Sequence, residues 1–429
     1  MKKNRFKFWL CVFFVFCGSY AEAQTTKEYM TNHIEYTQGN YLPYDCMVRD
    51  MPKTTKPPKN YKPFYISHYG RHGSRFHYSS KDYRDLCDKF LKADSANALT
   101  PLGKSVKERF SKMNELYGDR AGDLTDKGAE QHRGIARRMM KSYPSVFKKN
   151  AYVDAKSSTT VRCVLSMDAF CQELKAENPK LRIHNESSKR LMCYLANDPT
   201  RDRDERLNDE AWSKAYGDLH YRLVHPSRMI GILFSDPAYV GENIDTIAFM
   251  RKFYEMKNSL ASEDSDMNFD DVWTNEELYD NWVVQNAWWY GAYGPCPLTQ
   301  NKSRFFANDL LKKIIADADD AIQNGNVQAH LRFGHDTALL PLTSLLACSR
   351  CDFQTSDLDS VSSRWNEFRI IPMAANVQFV FYKSKKNKDI LLKVLLNERE
   401  VSLPLMSDVA PYYHWGDFKN YYLDLMRKE

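Results

Sequence analysis

Residues 63–75 read Pro63-Phe64-Tyr65-Ile66-Ser67-His68-Tyr69-Gly70-Arg71-His72-Gly73-Ser74-Arg75. Pro63 suits the first position of a strand, the apolar run Phe64 to Ile66 continues it, and Arg71 to Arg75 then place two guanidinium groups on either side of one imidazole. In an open α/β sheet ligands bind at the carboxyl ends of parallel strands, so the stretch predicts a core strand that delivers a loop into a crevice. The loop chemistry suits phosphate. A neutral imidazole nitrogen can displace at phosphorus, Arg71 and Arg75 can hold phosphoryl oxygens bidentately, and Gly73 lets the backbone approach a ligand closely. An arginine-rich turn is also compatible with simple solvation, so the reading needs the other parts of such a site.

Upstream, residues 51–62 are punctuated by proline and lysine and predict an extended lead-in. Its lysines 53, 56, 59 and 62 read as a solvated segment rather than a phosphate-gathering ridge. Downstream, apolar residues recur at helical spacing from Ser80 to Leu116 (Tyr83, Leu86, Phe90, Leu91), with a break at Thr100-Pro101, predicting two helices. Thr125 reads as the N-cap of a helix running through Met140 and stopping near Pro144. Ala151 to Val153 predicts a short strand. The turn Ser157-Ser158-Thr159-Thr160 leads from it through Arg162 into another helix.

Between about Gln172 and Gln300 the pattern changes to charged helical stretches with Trp282, Trp288, Trp289, Tyr290 and Tyr293 close together. This predicts a mostly helical insertion whose aromatic cluster is core between domains rather than a substrate wall. Phe306 to Ile322 is an amphipathic helix. Val327 to Phe333 then alternates with period two and ends in Gly334-His335-Asp336, followed by a helix from Thr337 to Ala347. Val377 to Tyr382 and Ile390 to Leu396 read as a hairpin. The expected architecture is an α/β class, three-layer α/β/α core formed by residues 24–171 and 301–429, with a helical cap at 172–300.

The 429 residues are 43% hydrophobic and 27% charged, which places the chain among globular proteins large enough for an inserted domain. Residues 1–23 stand apart: Lys2, Lys3, Arg5 and Lys7, an apolar run from Phe8 to Cys17, then Ala21-Glu22-Ala23. This predicts an export signal cleaved after Ala23, and hence a periplasmic or secreted protein. The apolar run is roughly half the ~18 residues that a bilayer crossing needs, and no later stretch is apolar for long enough, so no membrane span is expected. Without those residues the formal net charge falls from +6 to +3. That suits an anionic small molecule better than a nucleic acid. Eight cysteines remain after position 23, an even number that in an oxidising compartment makes some disulfides an expectation. Cys348 and Cys351 read as a disulfide or unpaired thiols rather than half a metal site, because no second Cys-x-x-Cys is present.

Two catalytic-looking loops thus sit at two strand ends more than two hundred residues apart. Phosphomonoester displacement needs a nucleophile, a cationic clamp and an acid for the departing alkoxide. His72 can supply the first, Arg71, Arg75 and Arg162 the second, and Asp336 the third. The plainer readings make Asp336 only a helix cap, Arg162 a surface cation, and His68, His77 and His330 structural or solvated, with His77 close enough in sequence to line the rim.

With these residues the chain resembles the histidine phosphatase superfamily, in the branch holding acid phosphatases, phytases and multiple inositol polyphosphate phosphatases. Arg71-His72-Gly73-Ser74-Arg75 is similar to that family's nucleophile loop. Leu124-Thr125 with Gly128 and Gln131 resembles its Leu-Thr-x-x-Gly-x-x-Gln helix start, Arg162 with Ser166 and Ala169-Phe170 its middle arginine segment, and His335-Asp336 its His-Asp pair. The resemblance implies a phosphohistidine on His72, phosphate binding by Arg71, Arg75, Arg162 and His335, proton donation by Asp336, a phosphorylated small-molecule substrate, and neither metal nor other cofactor. Features of the C-terminal half, including Leu339-Leu340-Pro341-Leu342 and Leu395-Leu396-Asn397-Glu398, lean towards the inositol polyphosphate phosphatases. That subgroup usually has His-Ala-Glu where this chain has His335-Asp336-Thr337. The expected activity is an exported phosphomonoesterase acting on phytate-like substrates. Its alternatives are a broad acid phosphatase for sugar phosphates or nucleotides and a non-catalytic phospholigand-binding protein.

Overall fold

The computed structural model describes residues 26–428 except 197–199 and 264; the segment read as an export signal lies outside the described residues. Its frame is one sheet in the order β3-β2-β4-β1-β5-β6-β7, with β8 pairing on β6. The strands are β1 (Tyr61–Arg71), β2 (Tyr152–Ser157), β3 (Arg182–Ser187), β4 (Ala329–Gly334), β5 (Asn376–Ser384), β6 (Ile390–Leu396), β7 (Arg399–Glu400) and β8 (Tyr413–His414). β1 runs parallel to β4, and β2 runs parallel to both β3 and β4. The C-terminal hairpin adds antiparallel strands along β5. β1 begins at Tyr61, two residues before Pro63, and the register shifts between Pro63 and Tyr65, where proline cannot donate to the ladder.

Nine helices matter below: α1 (Ser80–Ser95), α2 (Pro101–Tyr117), α3 (Asp126–Ser142), α4 (Val161–Glu177), α5 (Thr246–Ser259), α6 (Asn275–Tyr293), α7 (Asn308–Asn324), α8 (Asp336–Leu346) and α9 (Trp415–Met426). Strand side chains alternate between faces, and the alternation sorts the layers. From β1 and β4, His68 and Phe333 meet Phe170 of α4 and His132 of α3. On the opposite face Tyr65 contacts His330, and Arg332 is sandwiched between Ser67 (2.8 Å) and Asp317 of α7 (2.5 Å). With helices on both faces, the sheet forms the expected three-layer α/β arrangement.

Two features depart from the sequence reading. β3 lies inside the stretch read as a mostly helical insertion; it pairs with β2 and belongs to the sheet, so the run without strands starts after Ser187 rather than at 172. Its alternate residues Arg182, His184 and Glu186 and its neighbours Asn185 and Ser187 leave it largely exposed, which removed the apolar signal a buried strand carries. Second, all eight described cysteines are free, six of them buried. A buried thiol packs as a small apolar group, and pairing by even number does not apply. The aromatic cluster is core: Trp282, Trp289, Tyr290 and Tyr293 of α6 are buried, and Trp282 Nε1 donates to Glu367. The lysines at 53, 56, 59 and 62 are exposed, as read. Among the described residues no helix is long and apolar enough to cross a membrane.

The Arg332–Asp317 pair fastens α7 to the centre of the sheet with Arg332 fully enclosed. Burial would raise the Asp317 carboxyl, but Arg332, His330 and Lys313 outweigh it and hold it low. A carboxyl lowered by folding stabilises the native state above its unfolded pKa, and that contribution is lost as pH falls. Asp317→Asn strands a buried guanidinium, and it should cost about 3–5 kcal/mol in urea unfolding at pH 7. The gap to wild type should narrow as the pH is lowered toward 3.

Candidate active site

The loop after β1 is built against the start of α3. Thr125 caps α3, accepting from Gly128 N–H (3.2 Å), and both its amide and its hydroxyl donate to the Ser74 carbonyl. Gln131 accepts from Ser74 N–H at 2.9 Å and donates to its Oγ at 2.9 Å. The backbones touch: a Cβ on Gly73 would lie 2.3 Å from the Gly128 carbonyl, and one on Gly128 would lie 2.2 Å from that of Ser74. Ser166 of α4 accepts from Gly73 N–H at 3.1 Å. Thr125, Gly128, Gln131 and Ser166 therefore have one shared job, fixing the backbone on which His72 sits.

His72 is buried, and its Nδ1 lies 2.9 Å from its neighbour's carbonyl, Gly73 O. A carbonyl only accepts, so Nδ1 carries the proton and the Nε2 lone pair is left available. Burial lowers the His72 pKa well below that of an ordinary histidine, and Arg162, Arg71, Arg75 and His335 lower it further. That lowering favours the neutral imidazole at neutral pH. His335, at the end of β4, lies with its ring 5.7 Å from that of His72 at 72°. Its Nε2 is 3.3 Å from both Ser158 Oγ and Thr160 Oγ1, in the turn after β2. Burial, then Arg162, lowers its pKa to about 4.

The cations converge from the end of β1, the loop after it and the start of α4. Arg71 is fully enclosed; one Nη donates to the Asn40 and Ile371 carbonyls (2.6 and 2.5 Å), and the other is 2.8 Å from Asp336 Oδ2. Asp336 sits at the start of α8, where the helix terminus favours a carboxylate, and its Oδ1 accepts from Thr337 N–H. Burial pushes the Asp336 carboxyl up, but Arg71, His335 and Arg75 together hold it below the usual range. Arg162, in the first turn of α4, is half-buried with its Nε unpartnered, and it acts electrostatically on His72, Arg71 and His335. The six residues singled out in the sequence thus come together where β1, β4 and the β2 turn end.

Sequence reasoning missed the support behind Arg75. Arg75 donates to the Phe76 carbonyl (3.0 Å) and to Tyr41 Oη (3.4 Å), and its guanidinium lies 5.0 Å from the Tyr41 ring centre. Tyr41 Oη meets His77 Nδ1 (3.1 Å), His77 Nε2 meets Asp82 Oδ2 (3.0 Å), and the other Asp82 oxygen is paired with Lys252 of α5. Tyr41 and Asn40 end a 3-10 stretch, Ile34–Tyr41, that carries no motif. His77 is wholly buried inside this relay rather than on the rim.

A family model described as the histidine phosphatase superfamily (branch 2) matches residues 70–397. The chain belongs to the histidine phosphatase superfamily, branch 2. Among named histidine phosphatases it is 23% identical over 331 residues to human multiple inositol polyphosphate phosphatase 1, covering 71% of this chain and 66% of the human protein. The corresponding Gallus gallus protein is 21% identical over 329 residues, covering 72% and 71%. The fold is that of the Bifidobacterium longum multiple inositol polyphosphate phosphatase crystallised with inositol hexasulfate, with a TM-score of 0.75 at 18% identity covering 90% of this chain and 97% of that one. The phytase from D. castellii follows at 0.65 and 15% identity, covering 91% and 85%.

The relay gives a stability test for this branch 2 histidine phosphatase. Tyr41→Phe removes the acceptor for Arg75 and leaves His77 Nδ1 unpaired in the interior. It should lower the unfolding free energy by about 1–3 kcal/mol, read from denaturant melts.

Proposed function

We propose that the protein is a phosphomonoesterase that hydrolyses inositol polyphosphates through a phosphohistidine on His72. The observation that carries the reading is the state of that ring: neutral, with Nδ1–H committed to Gly73 O and Nε2 unprotonated among Arg71, Arg75 and Arg162. The inositol polyphosphate class rests on the relatives named above. An exported location rests on the basic, apolar and small-residue pattern of residues 1–23, and the helices between Thr200 and Tyr293 act as a cap over the crevice.

In the first half-reaction Nε2 attacks phosphorus, the bond from phosphorus to the ester oxygen breaks, and Asp336 gives its proton to the departing alkoxide. In the second, Asp336 takes a proton from water as the water oxygen attacks phosphorus and the P–N bond breaks, releasing inorganic phosphate and restoring neutral His72. The arginines and neutral His335 hold the oxygens on which charge collects. In the free enzyme Arg71 holds the Asp336 carboxyl towards its ionised form. A phosphate dianion that engages Arg71 removes that compensation and adds like charge, which raises the carboxyl towards the protonated form that the first step requires.

Assayed without added metal against inositol hexakisphosphate, a hexose phosphate and a nucleoside monophosphate, the purified protein should favour the first. His72→Ala should abolish turnover while phosphate still binds, and Asp336→Asn should lower kcat by about 10²–10⁴. Turnover persisting in His72→Ala would remove the covalent mechanism.

The nucleophile must be neutral, and its pKa is lowered, so protonation switches it off only well below pH 6.5. The kcat/KM for inositol hexakisphosphate should rise from pH 7 down to pH 5, because Asp336, held low in the free enzyme, must be protonated for the first step while His72 stays neutral. A decline setting in at pH 6–6.5 would contradict the lowered value.

A further inference from the structure

A cavity of about 530 Å³ lies away from all six site residues, between the N-terminal segment and the end of the β5–β6 hairpin. Four cations line it: Lys53, Arg350, Arg369 and Arg399. Three carboxylates line it as well, but two are already engaged. Glu398 takes Arg138 in three contacts of 2.8–3.1 Å, and Glu400 takes Lys393 (2.8 Å) with the Thr55 amide and hydroxyl. Asp50 alone remains against four positive groups.

Two of the three arginines are held in place. Arg399 Nη2 donates to the Met47 and Asp50 carbonyls (2.8 and 3.0 Å). Arg369 donates from Nε to Asn366 Oδ1 at 3.2 Å, and its guanidinium rests 5.4 and 5.3 Å from the ring centres of Tyr29 and Phe368. Arg350 has no hydrogen-bond or ion-pair partner among the described residues, and its backbone stands at φ 74°, a left-handed conformation that a branchless glycine would adopt more readily. Burial lowers the Arg369 pKa, and so does repulsion from both Arg350 and Arg399. Three guanidiniums close enough to repel, with Asp50 the one lining carboxylate left unengaged, are an arrangement that an anion would relieve.

We propose that this cavity is a second, non-catalytic binding site for a small soluble polyanion carrying several phosphate or sulfate groups. Its volume falls within the range of small-molecule sites, and its walls come from four chain segments, residues 29–54, 349–350, 368–370 and 396–401, which suits a compact molecule rather than a flat surface. Tyr29 and Tyr36, 5.4 Å apart, form a side against which a ring can lie. The site is independent of the chemistry at His72.

Isothermal titration of the full chain with myo-inositol hexasulfate, which carries no phosphate ester for the active site to cleave, reads the number of sites directly. Wild type should bind two molecules per chain. Arg350→Ala/Arg369→Ala should bind one, with hydrolysis of p-nitrophenyl phosphate unchanged within twofold, and Arg350→Lys/Arg369→Lys should keep the second site weakened by about tenfold. A stoichiometry of one for wild type overturns the proposal whether or not the alanine variant folds. Two molecules bound by a folded alanine variant overturns it as well.

Discussion

The contact on which the arrangement depends is the buried pair of Arg71 and Asp336, 2.8 Å apart with Arg71 wholly enclosed. Arg71 ends β1, and Asp336 opens the helix after the neighbouring parallel strand β4. One ion pair therefore ties two chain segments separated by more than two hundred and fifty residues. A guanidinium at that depth is costly unless its donors are used. Here one nitrogen is spent on the Asn40 and Ile371 carbonyls, so the N-terminal 3-10 stretch and the loop before β5 are drawn to the same point.

The surroundings carry an excess of positive charge, and the protein tolerates it by keeping its imidazoles neutral. His72 is buried and His335 partly buried beside three arginines, and both are held below the ordinary histidine range. The same field that makes the pocket receptive to a phosphate thus keeps the nucleophile unprotonated. Ordering costs are met in advance by the scaffold: Thr125, Gly128, Gln131 and Ser166 hold the His72 backbone, and Ser158 and Thr160 hold His335. Such preset geometry is what allows hydrogen bonds and charges to act without reorganisation during a reaction.

Much of this was legible in the residues because the informative signals are local. β1 and β4 announce themselves by apolar or alternating runs ending in chemical groups, and the Thr125 cap by its hydroxyl and spacing. The structure adds a reason for that second motif: its glycine and glutamine exist to touch the loop of the first. What stayed hidden depends on contacts between distant positions. Tyr41 and Asn40 lie in a stretch without periodicity, and their roles arise only because Arg75 and Arg71 arrive from β1. Asp82 reads as an ordinary residue of a helix's first turn, yet it links His77 to Lys252. β3 lacked an apolar pattern because it is exposed, and the cysteine count misled because six of the eight thiols serve as packing volume.

That exposed strand has a consequence for how the molecule behaves in company. β3 closes one margin of the sheet, and an unpaired margin is a template for a stranger's backbone. Arg182, His184 and Glu186 alternate along it, with Asn185 and Ser187 on the other side, so an incoming strand would have to strip water from charged and polar groups on both faces. The features that concealed β3 from the eye also guard the protein against sheet-to-sheet aggregation.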